Sequence, residues 1–515
     1  MKKLRPFMKK YFVVIGLLFN TGILFTIIFV FHHIYSSGLS LPLFSDKVKE
    51  NLAVNQPNLY KIVEPVLSTL SYFKVENDYF RQVELAQWSG VGASNNYSSR
   101  QTTSQITSLG ISPIIWVYSN SELITALKIA QAGQTIMLAP GEYHVSVNRV
   151  PIGQHGTATM PIHLTAHTLG TVKIFLKGEG IVVNKPYWQF SNLHFIGNCK
   201  RHTQCEHAFH VVGKGQYTVI KNNIMQDFNA MIKINGFGNY YPDHGKVTYN
   251  TFFNTSPRKT TNPVTPIDLM HANNWQVSDN FIFDIQKSAG DKVSYAAFFK
   301  GGSEQGVFER NLVMCAANLS DDYIALGLSL GGGGSLKQHR RNQNSAEHVG
   351  GIIRHNIIMH CSNDVGIYVN RARNSLIEHN ILYNTLGIDI RYPESDVNVS
   401  NNILSGRIKI RDNGKLIQRN NIVVNRDFIT GKDSLSDYFV APDIGNFTWK
   451  KAPETNTSIS ASVNSPVNST SSIVFDFCGA KPSMQYMGAY SVKSFCLDKL
   501  NINNIKNSAK IEQIQ

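Results

Sequence analysis

The sequence predicts an all-β protein: a right-handed parallel β-helix, or solenoid, with an N-terminal capping helix and a transmembrane helix ahead of it. Three observations carry this. One short motif, an asparagine followed by apolar residues, recurs along most of the chain. An amphipathic helical stretch stands just before the regular strands begin. Tyr11 to Phe31 is almost unbroken apolar sequence.

The motif occurs at Asn192, Asn223, Asn250, Asn280, Asn311, Asn356, Asn380, Asn402 and Asn421, with steps of 31, 27, 30, 31, 45, 24, 22 and 19 residues. Repeats of about 20–50 residues belong to stacked architectures. Each unit reads as a short strand, asparagine, then another strand. Asparagine tolerates left-handed backbone at a tight bend. Its amide can also bond to the asparagine one coil above, which predicts a ladder with all nine at equivalent bends.

Along the chain, residues 1–33 read as a basic stub and signal anchor. Lys2, Lys3, Arg5, Lys9 and Lys10 precede the apolar run, and no acid occurs before residue 46. At ~1.5 Å per residue the run spans ~30 Å, a bilayer core. The charge bias puts the N-terminus in the cytoplasm and the rest across the membrane. A cleaved signal peptide is the competing reading. Residues 34–110 lack the repeat and read as a stalk or irregular region, with helical periodicity over Asn58–Phe73. Residues 111–492 are the β-helix, with a Ser/Thr/Asn-rich surface loop at 450–473, and 493–515 form a polar tail.

At residue 119 the β-helix opens with Ser119-Asn120-Ser121-Glu122, a capping box. Leu123, Leu127 and Ala130 then make an apolar face, and Gly133 is expected to end the helix. A strand at Thr135–Leu138 and a Pro140-Gly141-Glu142-Tyr143 turn follow. A helix placed there covers the open N-terminal mouth.

The formal net charge is +14, which favours an acidic partner. Of the six cysteines, Cys199 with Cys205 and Cys478 with Cys496 are placed to pair. Cys315 and Cys361 follow strand-like runs and read as buried small hydrophobes. No CxxC occurs, so a zinc site is not expected.

Strand alternation identifies the side chains that face outward. On successive coils these are His210; Lys233 and Asn235; Asp268, with His271 in the turn just after; Lys300; Tyr368 and Asn370, with Arg371 next; Asp389 and Arg391; Lys409 and Arg411. They predict one polar row, rich in cations, along the body. The longest steps between asparagines fall within residues 192–356, where extra loops would wall a cleft. Gly331–Gly334 lies there, and without a following Gly-Lys-Ser/Thr it is no phosphate loop. His207 and His210 lie near Glu206, but no third spaced ligand completes a metal site.

The stretch Ala126–Tyr143 resembles the first coil of pectate-lyase-like β-helix proteins, notably the chondroitinase B and alginate lyase type. Asp476-Phe477-Cys478-Gly479 with Met487-Gly488-Ala489-Tyr490 resembles their closing segment. The resemblance implies the fold over residues ~115–492 and leaves function open, since hydrolases, epimerases, adhesins and inert scaffolds share it. In the family a strand lysine serves as base, with an arginine about one coil later and acidic calcium ligands just before it. Lys300 with Gly301-Gly302-Ser303 resembles that element. Ser294, Tyr295, Ala296 and Ala297 stand where acids would be expected, and Leu326–Leu330 offers no arginine; Arg371, Arg391 or Arg310 would have to substitute.

Lys300, His271 and Asp268 are therefore the candidate catalytic residues. Lys233, His210, Tyr368, Asn370, Arg371 and Arg391 are the candidate substrate-binding residues. No metal ligand is assigned and any cofactor is left open. The expected partners are an acidic polysaccharide and, through the N-terminal helix, the membrane, with no nucleic acid. The favoured function is lyase-type β-elimination. A non-catalytic carbohydrate-binding or surface protein is the alternative. A glycoside hydrolase ranks last, because that chemistry needs paired carboxylates and Asp321-Asp322 is the only adjacent acid pair in the expected cleft region.

Overall fold

A computed structural model describes residues 20–22, 24–25, 28–29, 31–32, 34–35, 39–71, 90–95, 113–320, 322–332, 334–450, 474–482, 486–491 and 495–499. It comprises two units: residues 1–76 with 425–434, and residues 77–424 with 435–515. The second unit holds three long parallel sheets of 12, 10 and 11 strands. In the body of each sheet, hydrogen-bonded neighbours stand about three strands apart in chain order, so the chain visits all three sheets in turn and then climbs one level. Uninterrupted parallel pairing with this order fits a right-handed β-helix.

Strict alternation builds the coil. Val172–Leu176 and Phe209–Val212 bury every second side chain. One continuous apolar core runs from Val117 at the start to Leu404 near the far end. Burial of these stacked aliphatic and aromatic layers is the main favourable term for such a fold.

Eight of the nine asparagines form the expected ladder, inside the turn between the first and third sheets. The Asn223 backbone N–H donates to Asn250 Oδ1 at 3.0 Å and its amide donates there at 3.1 Å. The pattern repeats through Asn250, Asn280, Asn311, Asn356, Asn380 and Asn402 to Asn421. Two expectations need correction. The left-handed residue is the one before each ladder asparagine, such as Tyr249, Asp279, Arg310 or His355. Asn192 sits one position early, at that left-handed place with φ 60°, and Leu193 N–H fills the ladder slot by donating to Asn223 Oδ1. Asn192 and Asn222 pair with each other instead, at 2.7 Å.

The capping helix spans Asn120–Ile129, with Ser119 Oγ accepting from Glu122 N–H at 3.3 Å. It ends at Ile129, before Gly133, which instead adopts φ 84° in the turn leading to the strand Thr135–Leu138. At the third sheet, the outward face is itself apolar. Phe281, Phe283, Leu312, Met314, Ile357 and Ile381 are covered by Leu435, Phe439, Phe447, Phe477, Tyr490 and Phe495 from the C-terminal segment. Disulfides join Cys199 to Cys205 and Cys478 to Cys496. Cys315 and Cys361 are buried but are also bridged to each other, which corrects their reading as unpaired hydrophobes. They follow paired strands on adjacent coils, Leu312–Met314 and Ile357–Met359; Cys315 comes directly after its strand and Cys361 one residue later, past His360, whose left-handed φ of 56° turns the chain there.

In the first unit, Leu41–Asn55 and Pro57–Ser71 are helices, joined through Lys49 Nζ to Ser71 Oγ at 2.8 Å. Most of Tyr11–Phe31, the 450–473 loop beyond Lys450 and the tail beyond residue 499 lie outside the described residues. Among the described residues no helix is long and apolar enough to cross a membrane.

Burial holds several imidazoles far below their ordinary range. His163, His194 and His207 are lowered to about 4 and His348 to about 3, in each case chiefly by burial. The unfolded chain takes up protons near pH 6.5 while the folded chain resists them. Stability is therefore complete above that value and is lost as pH falls toward the folded values. One histidine depressed from 6.5 to about 4 is worth about 3 kcal/mol at full protonation. The melting temperature should thus drop steeply between pH 6.5 and 4, and His348→Gln should flatten that slope. A level melting temperature across the window would contradict this.

Candidate active site

The ten-stranded sheet presents two parallel rows of outward side chains. Register stacks His210, Lys233, Asp268, Phe298, Ser329, Tyr368, Asp389 and Lys409 in one. The second row contains Asn235, and further along Met270 beside Lys300 and Asn370 beside Arg391 and Arg411. Coils stack about 4.8 Å apart. One residue beyond the strand stands Gly331, with φ 77°, and the space a side chain would need there is filled by the Asn370 carbonyl and Glu347.

Lys233, Asp268 and Lys300 come from three successive coils. Lys233 Nζ donates to Asp268 Oδ2 at 2.8 Å, and the Asp268 side chain is only 5% exposed. Asp268 Oδ1 is buried and without a hydrogen-bond donor among the described residues. Burial pushes the Asp268 carboxyl up, but the Lys233 and Lys300 cations outweigh it and hold the group below its usual range. Lys300 differs in kind. Its Nζ stands 4.1 Å from the centre of the Phe298 ring, and it has no hydrogen bond or ion pair among the described residues. Burial lowers its pKa, Asp268 opposes that, and Lys233 reinforces it. A half-buried amine with a depressed pKa, held by a ring face and by no acceptor among the described residues, is equipped to accept a proton.

His271 lies directly beside this lysine: its backbone N–H donates to the Lys300 carbonyl at 3.1 Å. Both of its ring nitrogens are occupied. Gly236 N–H donates to Nδ1 at 3.3 Å and Nε2 contacts the His339 carbonyl at 2.7 Å. An amide must donate and a carbonyl must accept, so the proton sits on Nε2. Any transfer by His271 first requires release of the His339 carbonyl.

Sequence reasoning missed the residues that shape the turn after Lys300. Between the strands Ile324–Leu330 and His348–Val349 the chain inserts residues 331–347. Glu347 is fully buried there, accepting from Gly301 N–H at 2.8 Å and from the Ser335 hydroxyl at 2.7 Å, and pairing with Arg340 at 3.2 Å. Arg341 N–H donates to the Gly301 carbonyl at 2.8 Å, and its guanidinium grips Asp243 at 2.8 and 3.1 Å while lying over the Tyr241 ring. The 45-residue step from Asn311 to Asn356 marked this insertion in the sequence, though not its contacts.

The remaining candidates flank the centre. His210 Nδ1 meets Glu179 at 2.7 Å and Nε2 meets Asn235 Oδ1 at 2.8 Å, three rungs from Phe298. Burial raises the Glu179 carboxyl, yet its bonds to His210 and Arg149 bring it below the ordinary range. On the other side, Asn370 donates to the Tyr368 hydroxyl at 3.2 Å, and both are largely buried. Arg371 stacks 3.6 Å from the Tyr392 ring centre and lies 3.8 Å from Glu394. Arg391 is paired with Asp412, and Asp389 with Arg411. Arg310 is in an asparagine turn, bonded to Asp279 and distant from this sheet in the coil order, so it does not join the row.

The calcium implied by the family resemblance finds no matching donors. Ser294–Ala297 supply no carboxylate, Asp268 is engaged by Lys233, and among the described residues no group of three or more His, Cys, Asp or Glu could hold a metal.

The three sheets define a pectate-lyase-like parallel β-helix fold. Residues 117–293 match the family model described as Chondroitinase B, a span that ends before Lys300. Among solved structures, the chain is similar to pectate lyase Pel9A, at 14% identity over 75% of this chain and 98% of that one, with a TM-score of 0.44. It is similar to the PL6 family polysaccharide lyase Pedsa3628 from Pseudopedobacter saltans, at 15% identity over 63% and 94%, TM-score 0.36. A GH136 lacto-N-biosidase from Eubacterium ramulus gives 12% identity over 60% and 67%, TM-score 0.44. At such identities and TM-scores these likenesses carry no weight for chemistry. No curated protein matches the chain.

Proposed function

We propose that the protein acts on an acidic polysaccharide by lyase-type β-elimination, with Lys300 as the proton acceptor. The observation that supports this most is the Lys300 amine itself: outward-facing, partly desolvated, and without a hydrogen bond or ion pair among the described residues. In β-elimination a base removes the proton next to the uronate carboxylate, and negative charge develops on that carboxylate. The bond to the glycosidic oxygen then breaks, leaving an unsaturated sugar. A base with a pKa brought toward the working pH serves the first step, and fixed cations serve the second. Lys233 stands two coils from Lys300, and Arg371 and Arg391 are further candidates to bind the carboxylate. His271 takes the role of second proton-transfer group once its bond to the His339 carbonyl opens.

The proposal places this β-helix outside the cytoplasm, on an anchor formed by Tyr11–Phe31. The basic residues before that run and the three disulfides support it.

The test is to incubate the full chain with a panel of uronate polymers while following the absorbance of unsaturated uronate and the release of sugar ends. The proposal expects both to rise together. Sugar ends without unsaturation would identify a hydrolase, and binding without either would identify a carbohydrate-binding protein; each result would overturn the proposal.

A further inference from the structure

The turn that follows Lys300 is held from outside the coil. Gly301 and Gly302 have φ of 71° and 74°, left-handed conformations that side chains resist. The insertion at Gly302 and His271 at Gly301 occupy the space that side chains would need. A Cβ on Gly302 would stand 2.8 Å from the Arg341 carbonyl oxygen, and one on Gly301 would stand 2.9 Å from His271. The backbone polar groups here are taken by the same insertion. Gly301 N–H donates to Glu347 Oε2, the Gly301 carbonyl accepts from Arg341, and Gly302 N–H donates to the Glu347 carbonyl at 2.8 Å.

We propose that Glu347 is a positioning residue for Lys300: its buried carboxylate joins the Lys300–Gly302 turn to Ser335 and Arg340, so that turn and insertion hold the amine as one rigid body. This rests on the reading of Lys300 as proton acceptor. A lysine side chain has four rotatable carbons, so its amine is placed only as well as its anchor is fixed. The Glu347 carboxylate reaches across 46 residues of sequence to make that anchor. Its position is not one that packing alone would choose, because burying a carboxylate is costly unless it is fully bonded. Here both oxygens are: Oε1 accepts from Ser335 N–H and pairs with Arg340, and Oε2 accepts from Gly301 N–H and the Ser335 hydroxyl.

Glu347 also acts on the amine through charge. The groups facing Lys300 are Asp268 and Lys233 on the preceding coils and Glu347 from the insertion. Asp268 and Glu347 favour its protonated form, against burial and Lys233. His271 lies alongside with its ring nitrogens occupied, and Arg340 and Arg341 are bound to Glu347 and Asp243. Removing the Glu347 charge should therefore make the amine easier to deprotonate while loosening its anchor.

The test compares the full chain with Glu347→Gln by two measurements that need no substrate. Competitive acetylation with acetic anhydride across pH, read on the Lys300 peptide by mass spectrometry, gives the titration midpoint of the amine. Hydrogen exchange gives the protection of the Gly301 amide. In Glu347→Gln the midpoint should fall, and Gly301 should exchange at least tenfold faster. Both unchanged in a folded variant would overturn the proposal. If Glu347→Gln does not fold, Ser335→Ala removes one hydroxyl bond to Oε2, and unchanged Gly301 exchange there would overturn it equally. Where a uronate polymer is turned over, kcat of Glu347→Gln should fall at least tenfold with KM nearly constant. A wild-type chain inactive on every polymer defeats the lyase reading, while the labelling and exchange still decide the role of Glu347. An active chain whose Glu347→Gln variant matches it in all three readouts defeats only the positioning role.

Discussion

Asn280→Ala is expected to cost on the order of 3 kcal/mol or more and to lower the melting temperature by roughly 5–10 °C. Asn280 Oδ1 accepts both the Asn250 backbone N–H, at 2.9 Å, and the Asn250 amide, at 3.1 Å. Its own amide donates to the Val247 carbonyl at 2.8 Å and to Asn311 Oδ1 at 3.0 Å. All of this is fully buried. Alanine leaves the Asn250 backbone N–H with no acceptor and no access to water, while the Asn250 amide keeps only the Ile220 and Thr248 carbonyls, and an unsatisfied buried donor costs more than a hydrogen bond returns. Asn421→Ala is the matched control. It strands the equivalent backbone N–H, that of Asn402, at the half-buried end of the ladder where water can reach. Its cost, measured by thermal or urea unfolding, should be markedly smaller. Equal losses would mean that burial is not what makes the ladder matter.

Lys300→Ala is expected to reduce turnover by about 10²–10⁴-fold, the usual worth of a positioned acid–base group. Binding of the uronate polymer should be largely retained, since Lys233 and the arginine side chains remain. His271→Ala should be less damaging to turnover, with an added loss from the loop that His271 pins through the His339 carbonyl. Steady-state kinetics and equilibrium binding on the same preparations separate these effects. Full activity in Lys300→Ala would remove this lysine from the mechanism.

The solenoid was legible because its determinants are local and periodic. A three-to-five-residue strand reveals its inward face by alternation, and the asparagine ladder writes one residue into every coil. Asn192 misled because Asn-Leu looks the same whether asparagine fills the ladder slot or the left-handed place before it; only the bonds to Asn222 and Asn223 distinguish them. The outward face followed from the same alternation, which puts Lys233 and Asp268 in register; the single row expected is in fact two, because Lys300 stands two residues further along its strand, level with Met270, while Phe298 faces Asp268. What alternation cannot supply is the fold of an insertion. Glu347, Arg340 and Ser335 act through contacts between a loop and a turn far away in sequence, and no periodicity encodes them. The Cys315–Cys361 bridge was hidden for a related reason. Two cysteines 46 residues apart meet only because the intervening chain makes one coil of 45 residues and a turn at His360 takes up the extra one, and that coil contains the longest insertion between ladder asparagines.

The central claim, that the Lys300 amine takes the proton in an elimination, is tested most directly by the pH dependence of double-bond formation. On a uronate polymer, kcat/KM for unsaturated ends should rise with pH through a single limb, since the amine works only when deprotonated. Burial and Lys233 should place that limb below the ordinary range of lysine. Glu347→Gln should move it lower still. A limb in the range of ordinary carboxylates, or a rate independent of pH, would contradict the account.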